Sequence, residues 1–126
     1  MQMLFQADMG HQSEDEVRAT FWIAGDPVDA EVRGFAEDLF RVAMVRQAEI
    51  DDLILKNSKN WRLERMPAVD RNLLRMAIGE MLGFKSTPFP VVINEALEIA
   101  RRYSASESIN FLNGLLDAVA HSLLPK

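Results

Sequence analysis

Between Val28 and Ala43 the apolar residues fall on a single helical face. Val28, Val32, Phe35, Ala36, Leu39, Phe40 and Ala43 stand at offsets of 4, 7, 8, 11, 12 and 15 from the first. A helix returns to the same face about every 3.6 residues and a strand every two, so this spacing predicts a helix. Asp29, Glu31, Glu37 and Asp38 lie off the stripe, where a solvated face would be. Comparable stripes recur along the chain. One is Val69, Leu73, Leu74, Ala77 and Met81, running on to Phe84. Another is Val92, Ile93, Ala96, Leu97, Ala100 and Tyr103, and a last one is Leu112, Leu115, Leu116, Val119 and Leu123. A shorter pattern, Ile50, Leu53 and Ile54, follows the first stripe, so that region is one long bent helix or two shorter ones. With only six glycines and five prolines in 126 residues, the chain is expected to be all-α.

Helix boundaries are marked by polar residues able to satisfy free backbone N–H groups. Ser13 and Glu16 have capping-box spacing and predict a short helix running through Phe21 and Trp22. Asp26 as N-cap with Pro27 in the first position would open the helix that carries the Val28 stripe. Ser104 and Glu107 form a second predicted capping box, ahead of the last helix. Asn113-Gly114 is a hairpin signal elsewhere, but the stripe resumes in phase on both sides of it. Gly114 is therefore expected inside a helix, as a point of close packing, at a propensity cost of about 1 kcal/mol. After Asn57-Ser58-Lys59-Asn60 the composition shifts toward arginine. This suggests an N-terminal helical subdomain over about residues 1–60 and a C-terminal one over about 61–126, each of about three helices and sharing a core.

Charge divides at the same point. Residues 1–60 carry 6 basic and 12 acidic side chains, and residues 61–126 carry 8 and 7, giving the net charge of −5. A chain this acidic has no broad basic face for nucleic acid, so any such site must be local or shared with a basic partner. There is no cysteine, which excludes disulfides, thiolate metal ligands and cysteine nucleophiles. No apolar run approaches the roughly 18 residues of a membrane span. Neither His11 nor His121 has ligands at metal-binding spacing, and both are expected at the surface. No Gly-rich phosphate loop or nucleophile elbow is present, and Asp51-Asp52 and Glu14-Asp15-Glu16 suit solvated helix faces. The expectation is a protein without cofactor, metal or catalytic activity. Trp61 beside Arg62 and Arg65 either packs under the subdomain junction or stacks on RNA bases.

Several phrases in order are more specific than composition. They are Asn60-Trp61-Arg62-Leu63-Glu64-Arg65-Met66, Val69-Asp70-Arg71-Asn72-Leu73-Leu74-Arg75-Met76-Ala77 with Glu80, Val92-Ile93-Asn94-Glu95-Ala96, and Phe111-Leu112-Asn113-Gly114-Leu115-Leu116-Asp117. Together they resemble the NusB family of bacterial transcription antitermination factors over residues 57–117. A weaker likeness covers Phe35 to Ile54, and Gln2-Met3-Leu4-Phe5-Gln6 resembles the end of the family's first helix.

The resemblance implies two three-helix bundles packed together, in a cytoplasmic protein. It implies binding of boxA RNA together with the ribosomal-protein partner NusE, within an antitermination complex on RNA polymerase that supports ribosomal RNA synthesis. A basic ribosomal protein would supply phosphate attraction that an acidic chain lacks. The resemblance places Gln2, Phe5, Glu107, Asn110 and Phe111 at the RNA, and Phe5 and Asp70 at the partner. Asn110 stands where the family has a basic residue. Asp70 alternatively serves as a helix N-terminal charge. Arg71 and Arg75, one turn apart, either bind RNA phosphate or pair internally with Glu80 and Glu95. Asn94 and Glu95 are expected to be structural, Asn94 bonding backbone across a helix pair.

Family members carry an arginine-rich segment ahead of the first helix, whereas here the pattern begins in mid-phrase at Met1. The natural chain is accordingly expected to be longer, and these 126 residues are expected to bind boxA weakly alone. Two alternatives follow from the same resemblance: a homodimeric helical scaffold, or a stand-alone relative of the N-terminal domain of ribosomal RNA cytosine methyltransferases.

Overall fold

The computed structural model describes residues 2–20, 30–58, 65–84 and 86–124. Among these, seven helices follow one another: α1 (Gln2–Gly10), α2 (Glu14–Thr20), α3 (Ala30–Val45), α4 (Gln47–Asn57), α5 (Ala68–Gly83), α6 (Phe89–Tyr103) and α7 (Ser106–Leu123). No strand occurs among the described residues, as the periodicity predicts. The predicted end of the short second helix at Phe21-Trp22, the Asp26-Pro27 start signal and the Trp61-Arg62 pair lie outside the described residues.

Helix α5 is the centre of the protein. It packs against α1, α3, α4, α6 and α7. Its buried residues run all round the helix, from Asp70 through Leu73, Leu74, Ala77 and Ile78 to Met81. A helix buried on every side has no solvated stripe, which is why its apolar periodicity is weaker than that of α3, α6 and α7. Helix α6, by contrast, buries one face: Val92, Ile93, Ala96, Leu97 and Ala100. One hydrophobic cluster takes side chains from all seven helices, including Leu4, Val17, Phe40, Ile54, Leu74, Ala96 and Leu116.

The Ser13 capping box forms as predicted. The Glu16 backbone N–H donates to Ser13 Oγ at 3.2 Å, and the Ser13 N–H donates to Glu16 Oε1 at 3.4 Å. The second predicted box does not form. Ala105 is the N-cap of α7, with no side-chain cap, and Ser104 instead ends α6. The Ser104 hydroxyl donates to Asp70 Oδ1 at 2.6 Å, a tertiary partner 34 residues away that outcompetes the local cap.

The bend between α3 and α4 falls at Arg46, resolving the choice in favour of two helices. Its guanidinium spans Glu49, at 2.9 and 3.0 Å, and the Leu82 carbonyl at 3.3 Å. That carbonyl belongs to the last turn of α5, where no intrahelical donor remains. Gly114 lies inside α7 as expected, but not as a packing point: it is exposed, and a Cβ there would meet nothing within 4 Å. The close approach is made elsewhere. A Cβ on Gly79 would stand 3.4 Å from Ala43 Cβ, and one on Gly83 would stand 2.8 Å from Val42 Cγ1. These two glycines, one turn apart, let α3 lie directly on α5.

Candidate nucleic-acid interface

The residues predicted at the RNA lie on two helices, α1 and α7, that α5 holds in place. On α1, Gln2 is exposed, Phe5 is 36% exposed and Met9 54%. Met3, Leu4 and Ala7 on the opposite face are buried, so the helix packs by one side and offers Phe5 on the other. On the first turns of α7, Glu107 and Asn110 are exposed. Phe111 is half-buried and packs against the core, one position off the buried pair Leu112 and Leu115.

A buried polar network fixes α1 against α5. Asp8, one turn beyond Phe5, accepts hydrogen bonds from Arg71 Nε at 2.5 Å, Asn72 Nδ2 at 2.8 Å and Arg75 Nη1 at 3.2 Å. Burial alone would raise the Asp8 pKa. The hydrogen bonds from Arg71 and Asn72, with the charges of Arg71 and Arg75, outweigh it and hold the carboxyl below its ordinary value. Asn72, fully buried, also donates to the Ala68 carbonyl at 2.8 Å and accepts from Arg75 at 3.2 Å. The remaining reach of Arg75 goes to Asp51 of α4.

Arg71 and Arg75 are therefore paired internally, which is one of the two predicted alternatives. Their partners are Asp8 and Asp51 rather than Glu80 and Glu95. Sequence spacing pointed to carboxylates on α5 and α6; packing brings in carboxylates on α1 and α4 instead. Glu80 is 6% exposed and Glu95 is exposed, and neither carries an ion pair or side-chain hydrogen bond among the described residues. Burial, then the charge of Glu95, pushes the Glu80 carboxyl above its ordinary pKa. Asn94 is exposed rather than bonded across a helix pair.

Asp70 is 3% exposed, in the first turn of α5, where its charge suits the helix N-terminus. Its bond to Ser104 ties that turn to the corner between α6 and α7. Adjacent residues thus reach in opposite directions: Asp70 toward the corner that precedes Glu107, Arg71 toward Asp8 of α1. The predicted RNA-facing helices are joined through this one turn of α5. Sequence reasoning overlooked two exposed cations on α6. Arg101 and Arg102 close the last turn of α6, both exposed, and Arg102 shares a groove with Gln2. The Arg-Arg-Tyr run before a helix end was the available signal.

Among the described residues, no cluster of His, Asp and Glu could hold a metal ion, and no helix is long and apolar enough to cross a membrane. His11 and His121 are both exposed, as predicted.

The NusB family model matches residues 1–121. A protein of Koribacter versatilis, "Transcription antitermination protein NusB", is 59% identical over 98% of this chain and 84% of its own length. The protein of the same name from Anaeromyxobacter dehalogenans strain 2CP-1 is 42% identical over 99% of this chain and 87% of its own. Among solved structures, T. maritima NusB superimposes with a TM-score of 0.86 at 35% identity, covering 98% of this chain and 87% of that one. A chain in the crystal structure of a plectonemic RNA supercoil gives a TM-score of 0.84 at 25% identity, covering 95% of this chain and 87% of that one. Sequence and architecture agree, and the chain belongs to the NusB family.

Proposed function

We propose that this chain is a transcription antitermination factor of the bacterial cytoplasm, acting by binding rather than by catalysis. It takes boxA RNA together with the ribosomal-protein partner NusE and joins the antitermination complex on RNA polymerase during ribosomal RNA synthesis. The observation that carries this reading is 59% identity, over nearly the whole chain, to a protein named as a transcription antitermination protein. Gln2, Phe5, Glu107, Asn110 and Phe111 form the RNA side, and Phe5 and Asp70 serve the partner side. Phe5 and Phe111 offer rings for base stacking. Asp70 acts on the partner surface by holding Ser104 and the α6–α7 corner in place. A net charge of −5 makes the RNA surface composite, with the basic partner supplying much of the phosphate attraction.

Fluorescence anisotropy with labelled boxA RNA, with and without NusE, tests the proposal. The chain alone binds weakly and the pair tightly. Phe111→Ala weakens RNA binding by the pair while helix content is unchanged. Nanomolar, sequence-specific binding by the chain alone would overturn the composite surface, and no binding by the pair would overturn the function. Light scattering with and without NusE separates the heterodimer from the homodimeric scaffold.

A further inference from the structure

Met9 continues the exposed face of α1. Gln2, Phe5 and Met9 stand at offsets of three and seven residues, on the side of the helix opposite the buried Met3, Leu4 and Ala7. Met9 is 54% exposed, and among the described residues no other methionine is open to water. Met3, Met66 and Met81 are buried, and Met44 and Met76 are half-buried against the core. Thioether oxidation follows exposure, so Met9 is the first target of a diffusing oxidant among them.

Its sulfur also touches a cation. Arg71 Nη2 donates to Met9 Sδ at 3.8 Å, while Nε of the same guanidinium donates to Asp8 and Nη1 to the Met66 carbonyl at 3.3 Å. Three nitrogens thus have three partners, and the thioether is the weakest acceptor of the three. A sulfoxide oxygen carries far more negative charge than a thioether sulfur and accepts from a guanidinium as a charge-assisted bond. The unbranched methionine side chain has three rotatable bonds with which to turn that oxygen toward Nη2.

We propose that Met9 is a redox modification site that turns part of the α1 face from apolar to polar without loosening the helix. The co-substrate is a peroxide. A lone pair of Sδ attacks one peroxide oxygen, the O–O bond breaks and an S–O bond forms. The proton of the attacked oxygen passes to the departing hydroxide, which leaves as water. Sulfur loses two electrons and the peroxide gains them. A dithiol reductase reverses the step, becoming a disulfide and releasing the oxygen as water. Oxidising a core methionine disrupts packing. Here Arg71, already fixed by Asp8, captures the new oxygen, so the α1–α5 clamp survives. What changes is the surface one turn from Phe5. The effect on binding rests on the function proposed above, which puts Phe5 at the partner.

Peroxide treatment of the whole chain followed by peptide mapping tests the site. Met9 should gain oxygen before any other described methionine. The oxidised chain should keep its melting temperature, while its affinity for NusE in calorimetry falls about fivefold, the scale of one apolar contact made polar. A methionine sulfoxide reductase with dithiothreitol should restore it. In Met9→Leu, whatever its starting affinity, peroxide should cause no loss. Four results overturn the proposal: oxidation of a buried methionine as early as Met9, a fall in melting temperature that Met9→Leu escapes, unchanged affinity after oxidation of Met9, or a loss of affinity that persists in Met9→Leu. An untreated chain that fails to bind NusE overturns the proposed function instead, and mapping and melting then decide the redox site by themselves.

Discussion

Arg75 holds Asp51 through two parallel hydrogen bonds, Nε to Oδ1 at 2.9 Å and Nη2 to Oδ2 at 3.1 Å, joining α5 to α4 across 24 residues of sequence. Planar two-point geometry is the strong form of this ion pair. The Arg75 side chain is 10% exposed, so most of its hydration is lost on folding and must be replaced by Asp51, Asp8 and Asn72. Removing one partner from such a pair leaves the other charge uncompensated. Asp51→Ala should destabilise the protein by about 2–3 kcal/mol, somewhat below the range for fully buried pairs because Asp51 keeps some access to water. Urea denaturation of the two proteins at neutral pH checks it.

Asp8 and Glu80 should give opposite pH dependence. The Asp8 pKa is depressed below its ordinary 3.8, so its contribution is fully present above that pH and is lost as pH falls through the folded-state value. Asp8→Asn should flatten the acid limb of the stability curve while lowering stability at neutral pH. The Glu80 pKa is raised above 4.5, so its ionised form costs stability at neutral pH, and the cost fades as pH falls toward 4.5. Glu80→Gln should raise the melting temperature at pH 7 and leave it unchanged well below 4.5. Thermal melts across that range measure both.

The two kinds of helical glycine should respond oppositely to alanine. Gly83→Ala brings a Cβ to 2.8 Å from Cγ1 and 3.2 Å from Cγ2 of the β-branched, half-buried Val42, so the contact forces a shift. The expected loss is about 1–3 kcal/mol. Gly114→Ala meets open space in the middle of α7 and should stabilise by up to about 1 kcal/mol. Chemical denaturation of the pair of variants reads both signs.

Ser104 and Asp70 should be coupled. Ser104→Ala and Asp70→Ala each break the 2.6 Å hydrogen bond, so the double variant should cost less than the sum of the two. The coupling energy expected for a bond to a charged group is about 1.5–3 kcal/mol. Asp70→Ala should also weaken NusE affinity in calorimetry, and unchanged affinity would remove Asp70 from the partner surface.

Local chemistry was legible in the sequence, and tertiary choice was not. The Ser13–Glu16 box needs only residues three apart, and it forms. Ser104–Glu107 has the same spacing and fails, because Ser104 finds Asp70 once α5 and α6 pack. The stripes identified which faces of α6 and α7 are buried, but not that α5 is buried all round. For Arg71 and Arg75 spacing leaves RNA phosphate and internal pairing with Glu80 and Glu95 both open; the partners they find lie on α1 and α4, 63 and 24 residues back, beyond the reach of spacing arguments. Gly114 and Gly83 look alike in a helical pattern, and only the neighbouring helix distinguishes them. The RNA-side residues came from family phrases, since an exposed glutamate or a half-buried phenylalanine has no chemical signature of its own.

The burial of α5 on all sides has a consequence for how the polypeptide acquires its shape. Residues 1–58 would lack the surface that α3 and α4 close upon, and residues 65–126 would expose the opposite flank of α5 to water. Each fragment should remain largely unstructured by itself, and mixing the two should restore helicity in a single concentration-dependent step. Melting of the intact protein should accordingly be all-or-none, with the arginine-rich half unable to outlive the acidic one.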